Sequence, residues 1–453
     1  MMRAFNRADI QSFHFVRSDF DASTGWISLV YAFDQDVELI ERIQIPGAPF
    51  TLSSQRADAI ERAIQLLHLF AGVSYYKAAC PPRLIVHAGG LDPMGIELVR
   101  AVYQQGLAEF AYTNQRRLTL DFSWLDGART RRLAPSVALN HQALVAIGGG
   151  KDSLVSIETL RRAQVSQTVA WVGQARLIQA CAEKTGLSTL QIRRELAAEL
   201  ADFNHQGAWN GHVPVTAINS AILVVAALLH DCDQVVFSNE RSASVGSAIP
   251  MLGLVNHQWS KSWAFEQPFG QYVRQHIAAD LSYYSLLRPY SEIAVARQFA
   301  RNDRYDHCFS SCNRNFHLHG HTPEQRWCGQ CPKCHFVFLA LAPFMEKQRL
   351  MTIFGGRNLL NESQWAGAYD ALIEFHSPKP FECVGEAEES RAALRHLAQD
   401  PAWRADALVS RFAHDILPHF ATENLSLSAL LQSSGEHQIP QAIWPDVHAF
   451  FTA

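Results

Sequence analysis

The run Ala143-Leu144-Val145-Ala146-Ile147 passes into three consecutive glycines, and Gly148-Gly149-Gly150-Lys151-Asp152-Ser153 then opens a segment of helical character. That junction constrains the chain more than any other stretch. Glycines let a backbone turn sharply and let a ligand approach it with no Cβ in the way. The N–H groups at a new helix start have no intrahelical acceptor and carry the positive end of the helix dipole. The junction therefore predicts an anion cradle at a strand-to-helix turn. Gly148, Gly149 and Gly150 admit phosphate oxygens, Lys151 adds charge and Ser153 offers a hydroxyl. Asp152 beside phosphates is explained by Mg²⁺, which a carboxylate can hold there. The Gly-x-x-x-x-Gly-Lys spacing of a Walker A loop is absent.

The surrounding pattern alternates strand and helix, which predicts an α/β fold with a parallel sheet. Strands are expected at 143–147, 168–172 and 234–238, and helices at 152–162, 189–202 and 217–229. Ser238-Asn239-Glu240-Arg241-Ser242-Ala243-Ser244 follows the third strand. In open α/β sheets ligands sit at the carboxyl ends of strands, so Ser238, Glu240 and Arg241 are expected to form a second wall of the site. Upstream, short apolar runs across 10–50 read as strands, with a turn at Asp21-Ala22-Ser23-Thr24-Gly25. Helical spacing covers 57–71 and 92–111, and Leu84-Ile85-Val86 reads as a buried strand. We expect an N-terminal α+β domain over 1–135, a nucleotide-binding domain over 136–345 and a mostly helical region over 346–453.

The 453 residues carry a net charge of −4 and no long basic run, so a nucleic-acid partner is not expected. The first residues lack the apolar core of a signal peptide. The longest apolar run, Ala221 to Leu229, falls short of the roughly 20 residues that cross a bilayer. A cytoplasmic protein without a membrane partner is expected. Of nine cysteines, Cys312, Cys328, Cys331 and Cys334 crowd together, which in a reducing compartment points to metal. Four thiols with no open position favour a structural Zn²⁺; an iron–sulfur cluster is the rival. Cys308, His317, His319 and His321 lie near enough in sequence to replace a ligand.

The loop resembles the PP-loop pattern Ser-Gly-Gly-x-Asp-Ser, with Gly148 in place of the first serine. Members of that class, built on a HUP-like sheet, cleave ATP to AMP and pyrophosphate. One cysteine followed by Cys-x-x-Cys-x-x-Cys is also similar to QueC-like enzymes, although the gap from Cys312 to Cys328 is longer here. A closer resemblance rests on Gly148–Ser153, Ser238–Ser244, Asn256–Lys261, Arg288–Glu292, Ser311–Phe316, Trp327–Cys334 and Lys379–Gly385. Together these resemble the MurL family of UDP-N-acetylmuramoyl-L-alanyl-L-glutamate epimerases, over nearly the whole chain.

The resemblance implies ATP, Mg²⁺ and a UDP-MurNAc-dipeptide whose terminal L-Glu becomes D-Glu, downstream of a MurD-like ligase. It assigns Asp152 to Mg²⁺, Ser153 and Lys151 to the departing pyrophosphate, and Arg241 to a substrate carboxylate or phosphate. Cys383 is a candidate base, with His257 and Glu382 as rivals, and Lys261, Arg288 and Arg314 are candidates for the UDP diphosphate. The alternative is a QueC-like or tRNA-modifying PP-loop enzyme acting on a purine or another nucleobase.

Overall fold

Apolar residues alternate with polar ones near the N-terminus, and each run pairs with the next. The computed structural model describes residues 5–34, 38–87, 91–118, 120, 133–249, 253–316, 325–421 and 425–453. Strands β1 (Ser12–Asp21), β2 (Trp26–Phe33) and β3 (Glu38–Gln44) form an antiparallel meander. Asp21 closes the first turn by accepting from the Ser23 N–H at 2.9 Å and the Thr24 hydroxyl at 2.7 Å. Strand β4 (Arg83–Val86) pairs parallel to β1.

Strands β5 (Asn140–Ala146), β6 (Gln167–Val172), β7 (Ser188–Glu195) and β8 (Cys232–Phe237) pair parallel with one another in the order β8-β5-β6-β7. A short hairpin, β9 (Ser247–Ile249) and β10 (Gly253–Val255), stands apart, and β11 (Ser282–Ser285) joins the parallel set beside β8. β3 pairs antiparallel with β7, so one mixed sheet runs β11-β8-β5-β6-β7-β3-β2-β1-β4. At that seam Glu41, fully buried, meets Arg194 at 2.7 Å.

The helix expected over 189–202 is corrected here: its first half is β7 and only Glu199–His205 is helical. Leu190 and Ile192 point into the core while their neighbours face out, a period of two that paired strands on both sides enforce. The helix expected over 92–111 is interrupted. Asp92 caps Pro93–Gln104 by accepting from the Met94 N–H at 2.9 Å, and a second helix spans Ala108–Thr113. Between them Gly106 lies tight against the Val102 carbonyl and Pro214.

The sheet separates two apolar cores. On one face Leu144, Ala170 and Val235 pack with helices Ser54–Ala71 and Val215–Leu229. The latter is apolar almost all round and accordingly buried on nearly every side. On the other face Ala143, Val145, Val169 and Val236 pack with helix Lys151–Arg162 and the helices that follow residue 332. No described helix is long and apolar enough to cross a membrane.

Candidate active site

The carboxyl ends of β5, β6 and β8 open onto a cavity of about 350 Å³. The loop after β5 turns at Gly149, whose φ of +80° is left-handed; a Cβ there would stand 2.6 Å from Leu177. Gly150 is the N-cap of helix Lys151–Arg162 and supplies no side chain to the first N–H groups, leaving them open to a ligand. Gly148, Gly150, Asp152 and Ser153 all line the cavity. At Gly148 an added Cβ would meet nothing within 4 Å. Trp171 and Ser238 form part of the wall, and the Trp171 Nε1 and Ser238 Oγ atoms are buried with no hydrogen-bond partner among the described residues. Native interiors rarely leave donors unpaired, so both fit a molecule that occupies the cavity.

Lys151 is 2% exposed and is not among the residues that line the cavity. Its ammonium lies 2.5 Å from Asp152 and also bonds Glu292. Burial works against that charge, but Asp152 and Glu292 outweigh it and hold the lysine pKa above its ordinary value. Burial and the charge of Asp152 push Glu292 up to about 7 and raise Glu240 as well. Asp152 itself is depressed: burial opposes its charge, while Lys151, Lys333 and Lys261 overcome that penalty.

Across the cavity sits Cys383, its Sγ 3.3 Å from the Lys261 ammonium. Burial raises its pKa, but Lys261, a hydrogen bond from His257 and Lys333 together bring it down to about 5. These surroundings favour the thiolate, as for reactive cysteines in electropositive sites. His257 also bonds Glu109 through Nδ1. Desolvation disfavours its charge, yet its bonds to Cys383 and Glu109 raise its pKa to about 9.

The four thiols gather beneath this wall. Cys312, Cys328, Cys331 and Cys334 bring their sulfurs within 4.8 Å of one another, with separations of 3.9 Å for Cys312–Cys331, 3.7 Å for Cys328–Cys334 and 3.5 Å for Cys331–Cys334. Metal–sulfur bonds of about 2.3 Å in a tetrahedron put sulfurs about 3.8 Å apart, so the set fits one four-coordinate ion. The same segments carry Ser310, Ser311, Asn313 and Lys333 onto the cavity wall. His317, His319 and His321 lie outside the described residues.

The profile of the MurL N-terminal domain matches residues 4–286, and that of the MurL C-terminal domain matches residues 308–426. The UDP-N-acetyl-alpha-D-muramoyl-L-alanyl-L-glutamate epimerase of Xanthomonas oryzae pv. oryzae (strain MAFF 311018) is 59% identical over 450 residues, covering 99% of this chain and 100% of the relative. The chain belongs to the MurL family. A protein of the same name from Micromonospora sp. is 42% identical over 437 residues, 95% of this chain and 96% of its own. The one from Salinispora tropica is 41% identical over the same length.

In this MurL-family chain the residues singled out from sequence divide by position. Gly148, Gly150, Asp152, Ser153, Ser238, Lys261 and Cys383 share the cavity. Gly149 shapes the turn from behind, and Lys151 and Glu240 are buried beside Asp152. Arg241 does not line the cavity; its guanidinium bonds Ser434. Arg288 is a buried clamp rather than a free cation, donating to Glu266, the Glu240 carbonyl, Ser244 and the Lys261 carbonyl. Every guanidinium N–H is thereby used. Arg314 is exposed, and Glu382 is held by Asn313. Sequence reading missed Lys333, Glu292 and Glu109. Lys333 stands inside the metal motif and was masked by it; Glu292 follows the N-cap serine Ser291. Glu109 lies in a six-residue helix with no local signal at all.

Proposed function

We propose that this chain converts the terminal L-glutamate of UDP-MurNAc-L-Ala-L-Glu to D-glutamate, using ATP to activate the carboxylate, in peptidoglycan precursor synthesis. The near full-length likeness to epimerases of that name supports the substrate. The observation that carries the chemistry is one cavity holding a phosphate-type loop at one side and a thiol–ammonium pair at the other.

Removing the α-proton of a free carboxylate piles charge on an anion. Activation cancels that charge. A glutamate carboxylate oxygen attacks the α-phosphorus of ATP, pyrophosphate leaves, and an acyl-adenylate remains whose carboxyl no longer carries a charge. The Gly148–Gly150 backbone and Ser153 bind the phosphates in this PP-loop reading, and Trp171 and Ser238 offer donors to the nucleotide. Asp152 is the carboxylate that would hold Mg²⁺, which supplies charge neutralisation at the phosphates. Cys383 then takes the Cα proton: the C–H bond breaks, an S–H bond forms, and the electron pair moves onto the carbonyl oxygen. The Lys261 ammonium beside it favours that developing charge. A proton delivered from water on the opposite face gives the D-centre, the Cys383 proton returns to solvent, and water releases AMP and the free carboxylate.

The four cysteines would hold a structural Zn²⁺ that fixes the loop carrying Ser311, Asn313 and Lys333. Their close spacing favours a single ion over an iron–sulfur cluster, which spreads its thiolates over several irons.

The test is incubation with ATP, Mg²⁺ and UDP-MurNAc-L-Ala-L-Glu, followed by chiral analysis of the hydrolysed glutamate. D-Glu with stoichiometric AMP and pyrophosphate is expected. AMP formed on a nucleobase substrate, with no D-Glu from the dipeptide, overturns the reading.

A further inference from the structure

Behind the Cys383 wall of the cavity lies a chain of polar contacts that crosses from one end of the sequence to the other. Helix Ala108–Thr113 presents Glu109, the loop after β10 presents His257, and the segment before helix Ala387–Gln399 presents Cys383. His257 Nδ1 and Glu109 Oε2 make a direct hydrogen bond, and the same ring stands close enough to the Cys383 thiol for each to shift the other's pKa. His212 packs against the ring at a centroid distance of 4.7 Å. Of the three relay residues Cys383 alone faces the cavity.

We propose that Glu109, His257 and Cys383 form a relay in which Glu109 acts as a positioning residue: it fixes the His257 ring so that the imidazolium holds Cys383 as a thiolate aimed into the cavity. The inference rests on the reading of Cys383 as the base that takes the Cα proton.

The physical argument has three parts. A histidine has two ring nitrogens, and a carboxylate on one fixes which way the ring faces and favours its protonated form. An imidazolium beside sulfur stabilises the thiolate: it lowers the basicity of the sulfur, but it keeps the unprotonated base present at neutral pH so that no proton has to be lost first. The Glu109–His257 contact is a hydrogen bond in direct touch. The charged and titratable groups around the relay are few. Lys261, Lys333 and Glu382 face Cys383, and His212 and Glu382 face His257. Lys261 donates to the sulfur and Lys333 adds charge; His257 adds a second positive group beside it, and Glu109 fixes the His257 ring.

The experiment reads thiol reactivity first, without substrate. Full-length protein and the Glu109→Gln, Glu109→Asp and His257→Gln variants are alkylated with iodoacetamide from pH 5.5 to 9.5, and modification of Cys383 is followed by peptide mass spectrometry. The native chain should alkylate at a near-constant rate from pH 6.5 upward. In Glu109→Gln and His257→Gln the half-point should move toward an ordinary thiol, with the rate at pH 6.5 falling ~10-fold or more. Glu109→Asp should restore much of it. AMP formation with substrate should persist in Glu109→Gln while D-Glu formation falls. An unchanged alkylation profile in Glu109→Gln overturns the relay. So does loss of AMP and D-Glu in equal measure with no change in profile. If Glu109→Gln fails to fold, His257→Gln carries the same reading. Native alkylation as expected with no D-Glu from the dipeptide would instead count against the proposed reaction and leave the relay standing.

Discussion

At Gly149 a side chain has nowhere to go. Its φ of +80° already strains an L-residue, and Leu177 occupies the place of a Cβ. Gly149→Ala should cost about 1–3 kcal/mol in thermal unfolding and abolish AMP formation. Gly148 is different: the space beyond it is open. Gly148→Ser restores the serine of the PP-loop pattern and should leave stability within about 0.5 kcal/mol, with AMP formation retained. Titration is the second residue-scale consequence. Cys383 is held down at about 5 and His257 up at about 9, each partly by the other. Epimerisation should therefore show a plateau between about pH 5 and pH 9. It should fall on the acid side as the thiolate is protonated and on the alkaline side as the imidazolium is lost. The signs for stability run the same way. The Cys383 contribution is complete above its ordinary pKa of 9.0 and vanishes as pH drops through about 5; that of His257 is complete below 6.5 and vanishes as pH rises through about 9. Initial rates for D-Glu formation across pH check the plateau.

The cysteine loop works as an element, because the thiols sit on one side of it and cavity residues on the other. Cys331→Ser should remove close to one equivalent of zinc by elemental analysis. It should also lower stability by on the order of 3 kcal/mol and reduce AMP formation as Ser311, Asn313 and Lys333 lose their support. Retained metal with unchanged melting would sink the ligand assignment. Element type was legible in most places. The meander of β1 to β3, the turn at Asp21, the strand β5 and the helix after Gly150 all follow from local periodicity and turn chemistry. β7 was misread because Thr189, Gln191 and the charged run Arg193-Arg194-Glu195 suit a helix surface as well as a strand. Only the pairing of β6 on one side and β3 on the other decides for period two.

For the molecule as a whole, the seam between β3 and β7 joins the antiparallel and parallel parts of one sheet. Glu41 and Arg194 pair there at 2.7 Å, with Glu41 at 0% exposure. Arg194→Met leaves a carboxylate buried without its cation and should destabilise by about 3 kcal/mol or more, whereas Glu41→Leu with Arg194→Met should recover much of that loss. Thermal unfolding of both variants measures the difference; equal melting would show that the pair contributes nothing.

The sequence by itself pointed to the strand–glycine–helix turn, the thiol quartet and the wall at Ser238, because each depends on residue types within a few positions of one another; that Cys383 joins them at the cavity is a tertiary fact. It did not determine that Lys151 turns inward to Asp152 and Glu292, that Arg288 is a buried clamp, or that Glu109 reaches His257 from 148 positions away. Those facts depend on which surfaces the sheet brings face to face. Long-range burial strips water from a charge and obliges it to find a partner, and no local pattern records which partner will be there.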